Sequence, residues 1–261
     1  MDHTQSSGGL AGLDLNTEYR SAKEDPARSF YAPCLAESNL YKRAVGYFRS
    51  SVYLVIGASV LEFARRGGRI RLICSPELTD EDVESIADGY RDRREVVADR
   101  LIADIEMMLI EPALAYKTRV LATLISTGCL DIKVAVRSSG AGIYHEKIGI
   151  FLDTWGNRVS FKGSANETWR GWHRDGNFES IEVFCSWRGG LEAQRVRKHE
   201  DHFDEMWSEH DADVDVFPFP DKALDKLKCA SLVGATSLEA RSAIRSTAST
   251  RSPTHYVATK S

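Results

Sequence analysis

The sequence has no apolar stretch long enough to cross a bilayer. Its longest, Val52 to Val60, is interrupted by Gly57 and closed by Glu62, whereas a spanning helix needs roughly 20 apolar residues. The run reads as a core helix, and no membrane partner is expected. Cysteine is scarce and scattered: Cys34, Cys74, Cys129, Cys185 and Cys229 form no C-x-x-C pair, so the spacing of a zinc ribbon or a redox dithiol is missing. They read as reduced, mostly buried thiols, and neither a metal nor another cofactor is expected. The opening residues, Met1-Asp2-His3-Thr4, lack the basic and apolar regions of a secretory signal, which predicts a cytoplasmic protein. Charge of one sign is also lacking. Although 28% of residues are charged, the net charge is only -4, so any nucleic acid must be held by a local basic patch. No G-x-x-x-x-G-K-[ST] loop occurs, so the chain carries no nucleotide-driven motor of its own.

What is present suits one sizeable core with extensions, the natural arrangement for 261 residues. Residues 1–28 are polar, contain Ser6-Ser7-Gly8-Gly9 and read as a flexible leader. A folded domain is expected over 29–228. Arg43 to Phe48 reads as a strand, Ser50-Ser51 as the start of a helix through Arg65, and Arg69 to Cys74 as a second strand, a unit that builds parallel sheets. Thr79-Asp80-Glu81-Asp82 has the form of a capping box. It opens a long charged helix to about Ile110, where Glu111-Pro112 interrupts before a second helix to about Thr127. The 79–127 segment is thus a helical insertion, read as a lid or packing layer.

After Gly128 the period changes to that of strands: Leu130 to Arg137, Tyr144 to Asp153, Arg158 to Lys162 and Phe178 to Trp187. Leu191 to Trp207 and Asp221 to Cys229 read as helices. The tail, 229–261, is rich in Ser, Thr and Ala and reads as disordered. The expected fold class is α/β: a mixed, largely parallel β-sheet flanked by helices on both faces, with the His145 strand near its middle and the site at the strand ends.

The chemistry concentrates in Tyr144-His145-Glu146-Lys147, Gly163-Ser164-Ala165-Asn166 and Asn177-Phe178-Glu179. On a strand, His145 and Lys147 share one face and Glu146 takes the other. An imidazole can attack phosphorus without a metal, and a neighbouring lysine stabilises charge on the non-bridging oxygens. Gly163 permits close backbone approach, Ser164 and Asn166 offer neutral hydrogen bonds to a phosphate, and Glu179 can hold the imidazole in its productive tautomer. Arg137, Lys162, Arg170 and His173 fall near this motif and are candidates to bind substrate, the arginines and lysine by tracking a nucleic-acid backbone. Trp169 and Trp172 can stack on bases, but packing is the commoner use of such residues.

These residues resemble the phospholipase D superfamily, whose mark is H-x-K-x4-D followed by a G-S-x-N turn. His145-x-Lys147, Gly163-Ser164-x-Asn166 and Asn177-x-Glu179 carry the match, the last resembling the carboxylate that orients the histidine in nuclease-type members. Strict spacing would place the family's aspartate at Leu152, and Asp153 comes one residue late. Phe30-Tyr31-x-Pro33-Cys34-Leu35, Tyr41 to Phe48 and Ile73 to Leu78 resemble the phospholipase D-like domain that precedes helicase modules in prokaryotic restriction and phage-defence proteins.

The resemblance implies a phosphohistidine mechanism in which one histidine attacks and a second protonates the leaving group. Only one H-x-K is present, so a homodimer with two His145 across a two-fold axis is expected to complete the site. The leading expectation is a metal-independent DNA endonuclease, with any helicase or ATPase a separate partner. A lipid or small-molecule phosphodiesterase and a catalytically idle DNA- or helicase-binding domain are the alternatives.

Overall fold

The computed structural model describes residues 8–20, 23–49, 59–87, 92–139, 144–163 and 180–232. Within them, eight strands make one sheet: β1 (Glu18–Arg20), β2 (Leu40–Tyr47), β3 (Arg69–Ser75), β4 (Leu130–Arg137), β5 (Ile148–Leu152), β6 (Arg158–Gly163), β7 (Ser180–Cys185) and β8 (Val214–Pro218). Their order is β1-β7-β6-β5-β2-β3-β4-β8. The α-helices are α1 (Ala32–Glu37), α2 (Ser59–Arg65), α3 (Asp80–Ala87), α4 (Arg93–Ile110), α5 (Pro112–Ser126), α6 (Gly190–Trp207) and α7 (Asp221–Cys229). Among the described residues no helix is long and apolar enough to cross a membrane.

The α/β class with a mixed sheet is as expected, with β5 and β2 at its centre. Parallel pairing is narrower than "largely parallel" implied: it joins β2 to β3 and β3 to β4, and the remaining pairs are antiparallel. Helical crossovers return the chain in the same direction only as far as β4. β6 pairs antiparallel with β5, and β7 with β6, each reversing the strand before it.

Side-chain alternation assigns the two faces. Tyr41, Leu72, Val134, Phe151 and Phe161 join the larger core with α1, α2, α4, α5 and α7. Ala44, Ile73, Ala135, Ile148 and Ile150 face the other way, onto Phe203 and Met206 of α6. The buried Lys42 also points to α6, where its ammonium meets Glu200 at 2.9 Å and Asp204 at 2.7 Å. Arg158 binds Glu200 as well, so this charge is paired rather than stranded, as a buried cation requires.

Local rules explain the helical insertion and its one departure from expectation. The capping box forms reciprocally: Asp82 Oδ2 accepts from the Thr79 amide at 2.9 Å, and Thr79 Oγ1 accepts from the Asp82 amide at 3.3 Å. The helix it opens does not run to Ile110. Asp92 is extended (φ -63°, ψ 132°), and its side chain accepts from the Arg94 and Glu95 amides, starting α4 afresh. Pro112 then occupies the first turn of α5, where its missing N–H costs nothing.

The expected loose leader is partly built into the fold. Leu10, Leu15 and Tyr19 are buried, and β1 pairs with β7 along the sheet edge. Three apolar residues spaced through a polar segment are enough to anchor it, although they show no period by which a sequence reading could find them. Residues 1–7 and nearly all of the expected disordered tail, 233–261, lie outside the described residues. Cys34, Cys74, Cys129 and Cys185 are buried and Cys229 is exposed. Burial raises the four buried thiols, Cys185 to about 11, and so keeps them from reacting as thiolates.

Candidate active site at the sheet end

The carboxyl ends of β2, β3 and β4 lie at the same edge of the sheet as the start of β5, the end of β6 and the start of β7, because β5 is antiparallel to β2 and β6 to both its neighbours. Tyr47, Ser75, Arg137, His145, Gly163 and Ser180 therefore stand along one edge. His145 and Lys147 are not within a ladder, as the expected strand over Tyr144 to Asp153 required. The last pairs that β5 makes on either side involve Ile148, with Ala44 and with Lys162. Beyond Ala44 the register of β2 shifts. Released from the ladder, residues 144–147 approach β5 without regular structure.

The alternation expected for this segment persists. Tyr144 is buried toward α6, with its hydroxyl 3.6 Å from Met206 Sδ. Glu146 turns the same way and binds Lys162 Nζ at 3.0 Å, with His202 Nε2 at 3.7 Å. His145, between them, is exposed and rests on the end of β2: its ring is 5.6 Å from that of Tyr47. A Cβ added at Gly46 would fall 2.3 Å from His145 Cδ2. Glycine at position 46 is what lets the imidazole lie there.

Glu146 anchors the segment from behind. Burial opposes its charged form, but hydrogen bonds from His202, Lys162 and the Lys147 amide outweigh that and take its pKa down to about 2. In return, the Glu146 carboxylate raises His202 above its ordinary value against the effect of burial. Farther along α6, His199 Nδ1 lies 2.9 Å from the hydroxyl of the buried Ser160. Burial lowers the pKa of His199 and so favours its neutral form.

The other sequence candidates fall as follows. Gly163 ends β6 at the site edge, and a Cβ there would lie 2.3 Å from the Ser180 carbonyl oxygen of β7, so glycine is needed here for the close approach of two strands. Lys162, a substrate candidate, binds Glu146 on the α6 face instead of standing beside His145. Arg137 is exposed at the end of β4, but β2 and β3 separate it from β5, a gap of roughly 14 Å at the usual strand spacing. Ser164, Asn166, Arg170, His173 and Glu179 lie outside the described residues.

Asp153 is a framework residue. Its Oδ1 accepts from the amides of Trp155 and Asn157, and its Oδ2 accepts from the Leu10 amide and Asn157 Nδ2. One buried carboxylate thus closes the β5–β6 turn and fastens the leader to it. Sequence reasoning missed Gly46, Tyr47, Glu146 and His202 as parts of the site. Only two of them carry a local signal: Glu146 by interrupting the His-Lys pair, and Gly46 by standing within the last two residues of the apolar strand β2.

The chain matches the family described as "Cardiolipin synthase, PLD-like domain" over residues 42–207. No curated protein matches its sequence. Similar solved structures include a phosphatidylserine synthase of Haemophilus influenzae Rd KW20, at TM-score 0.44 and 12% identity, covering 87% of this chain and 47% of that one. The chain therefore spans about half the length of that protein. Another is Nuc, a phospholipase D family member from Salmonella typhimurium, at TM-score 0.42 and 10% identity, covering 73% and 92% of the two chains. A third is TrmBL2, an archaeal chromatin protein, at TM-score 0.35 and 9% identity, covering 73% and 53%. Matched from residue 42 to 207, through the His145 segment and over more than half its length, the chain belongs to the phospholipase D-like domain family.

Proposed function

We propose that the protein is a metal-independent phosphodiesterase, specifically a DNA endonuclease that works through a phosphohistidine at a site shared by two protomers. The observation that carries this reading is the placement of an exposed imidazole, His145, at the end of the sheet, beside Lys147 and near the glycine that begins Gly163-Ser164-x-Asn166. His145 attacks the phosphorus while the His145 of the second protomer, protonated, donates to the leaving oxygen as the P–O bond breaks. That second histidine, now neutral, takes a proton from water, whose oxygen attacks phosphorus and releases the first. Lys147, Ser164 and Asn166 stabilise the charge on the non-bridging oxygens, and Glu179 orients the imidazole. A cytoplasmic role in restriction or phage defence, with a separate helicase or ATPase, suits a nuclease of this kind.

The segments that point toward nucleases, Phe30 to Leu35 and Tyr41 to Phe48, supply much of the buried core: Tyr41 stacks on Phe151 at 4.4 Å, and Phe30 meets Phe161 edge-on at 5.3 Å. They bear on kinship rather than on substrate chemistry. A lipid phosphodiester is accordingly the second reading, supported by the name of the matching family.

The test is purified protein on plasmid DNA in EDTA, with His145→Ala alongside and anionic liposomes as a parallel substrate. DNA cleavage in EDTA that disappears in the variant is expected. Cleavage that requires added Mg2+, or that survives in His145→Ala, would overturn the mechanism. Turnover of lipid but not DNA would replace the substrate.

A further inference from the structure

On the α6 side of the sheet, three side chains suited to metal ligation come together, and the proposed reaction uses none of them. His202 and Glu205 are three residues apart on α6 and share a face, and Asp211 lies between α6 and β8. One donor atom from each lies within 4.8 Å of the others. Asp211 is held in place because its Oδ1 accepts from the amides of Asp213 and Val214. Its Oδ2 faces His202 Nδ1 at 3.9 Å.

The other ring nitrogen supplies an independent argument. His202 Nε2 points at Glu146 Oε2, 3.7 Å away. A hydrogen on Nε2 directed at a carboxylate leaves the Nδ1 lone pair for a ligand. Metal-binding histidines are oriented in this way by a carboxylate behind them. The charges also balance: a neutral imidazole and two carboxylates match a divalent ion.

We propose that His202 Nδ1, Glu205 and Asp211 form a binding site for a divalent transition metal of the zinc class. Mixed nitrogen and oxygen donors at about 2.0–2.2 Å suit zinc, with water completing four-coordination. Glu205 is exposed and free to swing in, and a small rotation of His202 shortens its gap to Asp211. The ion braces rather than reacts. It joins α6 to the approach to β8 and, through His202 and Glu146, steadies the segment bearing His145 and Lys147 from the face opposite His145. This inference does not rest on the nuclease reading.

The full-length protein, stripped by chelator and dialysed, is titrated with Co2+ and with Zn2+. About one ion per chain is expected, with the visible absorption of four-coordinate cobalt and a melting temperature raised by zinc. Glu205→Gln changes only an exposed side chain, and Asp211→Asn keeps its acceptor for the two amides. Each should weaken binding by at least roughly tenfold and abolish the thermal shift. Absence of stoichiometric binding, or binding unchanged in both variants, would overturn the site. Because metal binding and melting are read without substrate, their outcome is distinguishable from whether DNA is cleaved.

Discussion

The imidazole of His145 lies against the backbone of Gly46, so closely that a Cβ at residue 46 would come 2.3 Å from Cδ2 and 3.2 Å from Nε2. Gly46→Ala must therefore move the ring while adding only a methyl group to a strand end. A displacement on the order of 1 Å at a reacting atom costs about 10²-fold in rate. The expected outcome is a loss of that size in kcat with little change in melting temperature. Unaltered kcat would show that the nucleophile does not use this position.

A site shared by two chains predicts a particular result for mixed dimers. When wild-type and His145→Ala chains are combined equally and allowed to exchange, roughly a quarter of the dimers keep both histidines. Specific activity should fall to about that fraction of a wild-type sample of equal total concentration. A value near one half would mean that each chain works alone, as would a monomer in the ultracentrifuge with full activity.

Asp153 joins the β5–β6 turn to the leader through four accepted hydrogen bonds. Removing a buried carboxylate that accepts this many donors leaves several of them unsatisfied, at a cost of about 2–4 kcal/mol. Asp153→Ala should lower the melting temperature by roughly 5–15 °C, and protease should cut the leader more readily. Melting at the wild-type temperature would contradict the framework role.

The Glu146 pKa, lowered from 4.5 to about 2, sets a pH dependence. Because the folded state binds its proton more weakly than the unfolded chain, the stabilisation is fully present above the ordinary carboxylate range. It is lost as pH falls from about 4.5 toward 2. His202, raised from 6.5, has the opposite sign: its contribution is full below 6.5 and fades as pH climbs through the raised value. Glu146→Gln should flatten the acid limb of a stability profile and remove the decline associated with His202. A profile superimposable on wild type would show that the pair contributes nothing.

The chemistry was legible because its residues lie close in sequence. His145 and Lys147 immediately precede β5 and Gly163 ends its hairpin partner β6, and both the β6 strand and the two-residue alternation around Glu146 followed from period alone. Lys162 makes a contact that the same local reasoning did not indicate. Its nearness in sequence to Gly163 suggested a role at phosphate, whereas alternation from Gly163 sends its side chain to the α6 face, where Glu146 receives it. The break before α4 was hidden because Asp92 is one acid among many charges, and only its extended backbone shows it to be a cap.

By itself the sequence determined the family, the helix and strand periods, the capping box at Thr79 and the identity of the candidate nucleophile. All of these depend on residues a few positions apart, where propensity and spacing act directly. Only the tertiary structure decided that Gly46 receives His145, that Glu146 is gripped by Lys162 and His202, and that Leu10 is tied to Asp153. Those partners lie tens to more than a hundred residues apart along the chain. Sheet order and the packing of α6, rather than any local pattern, bring them within bonding distance.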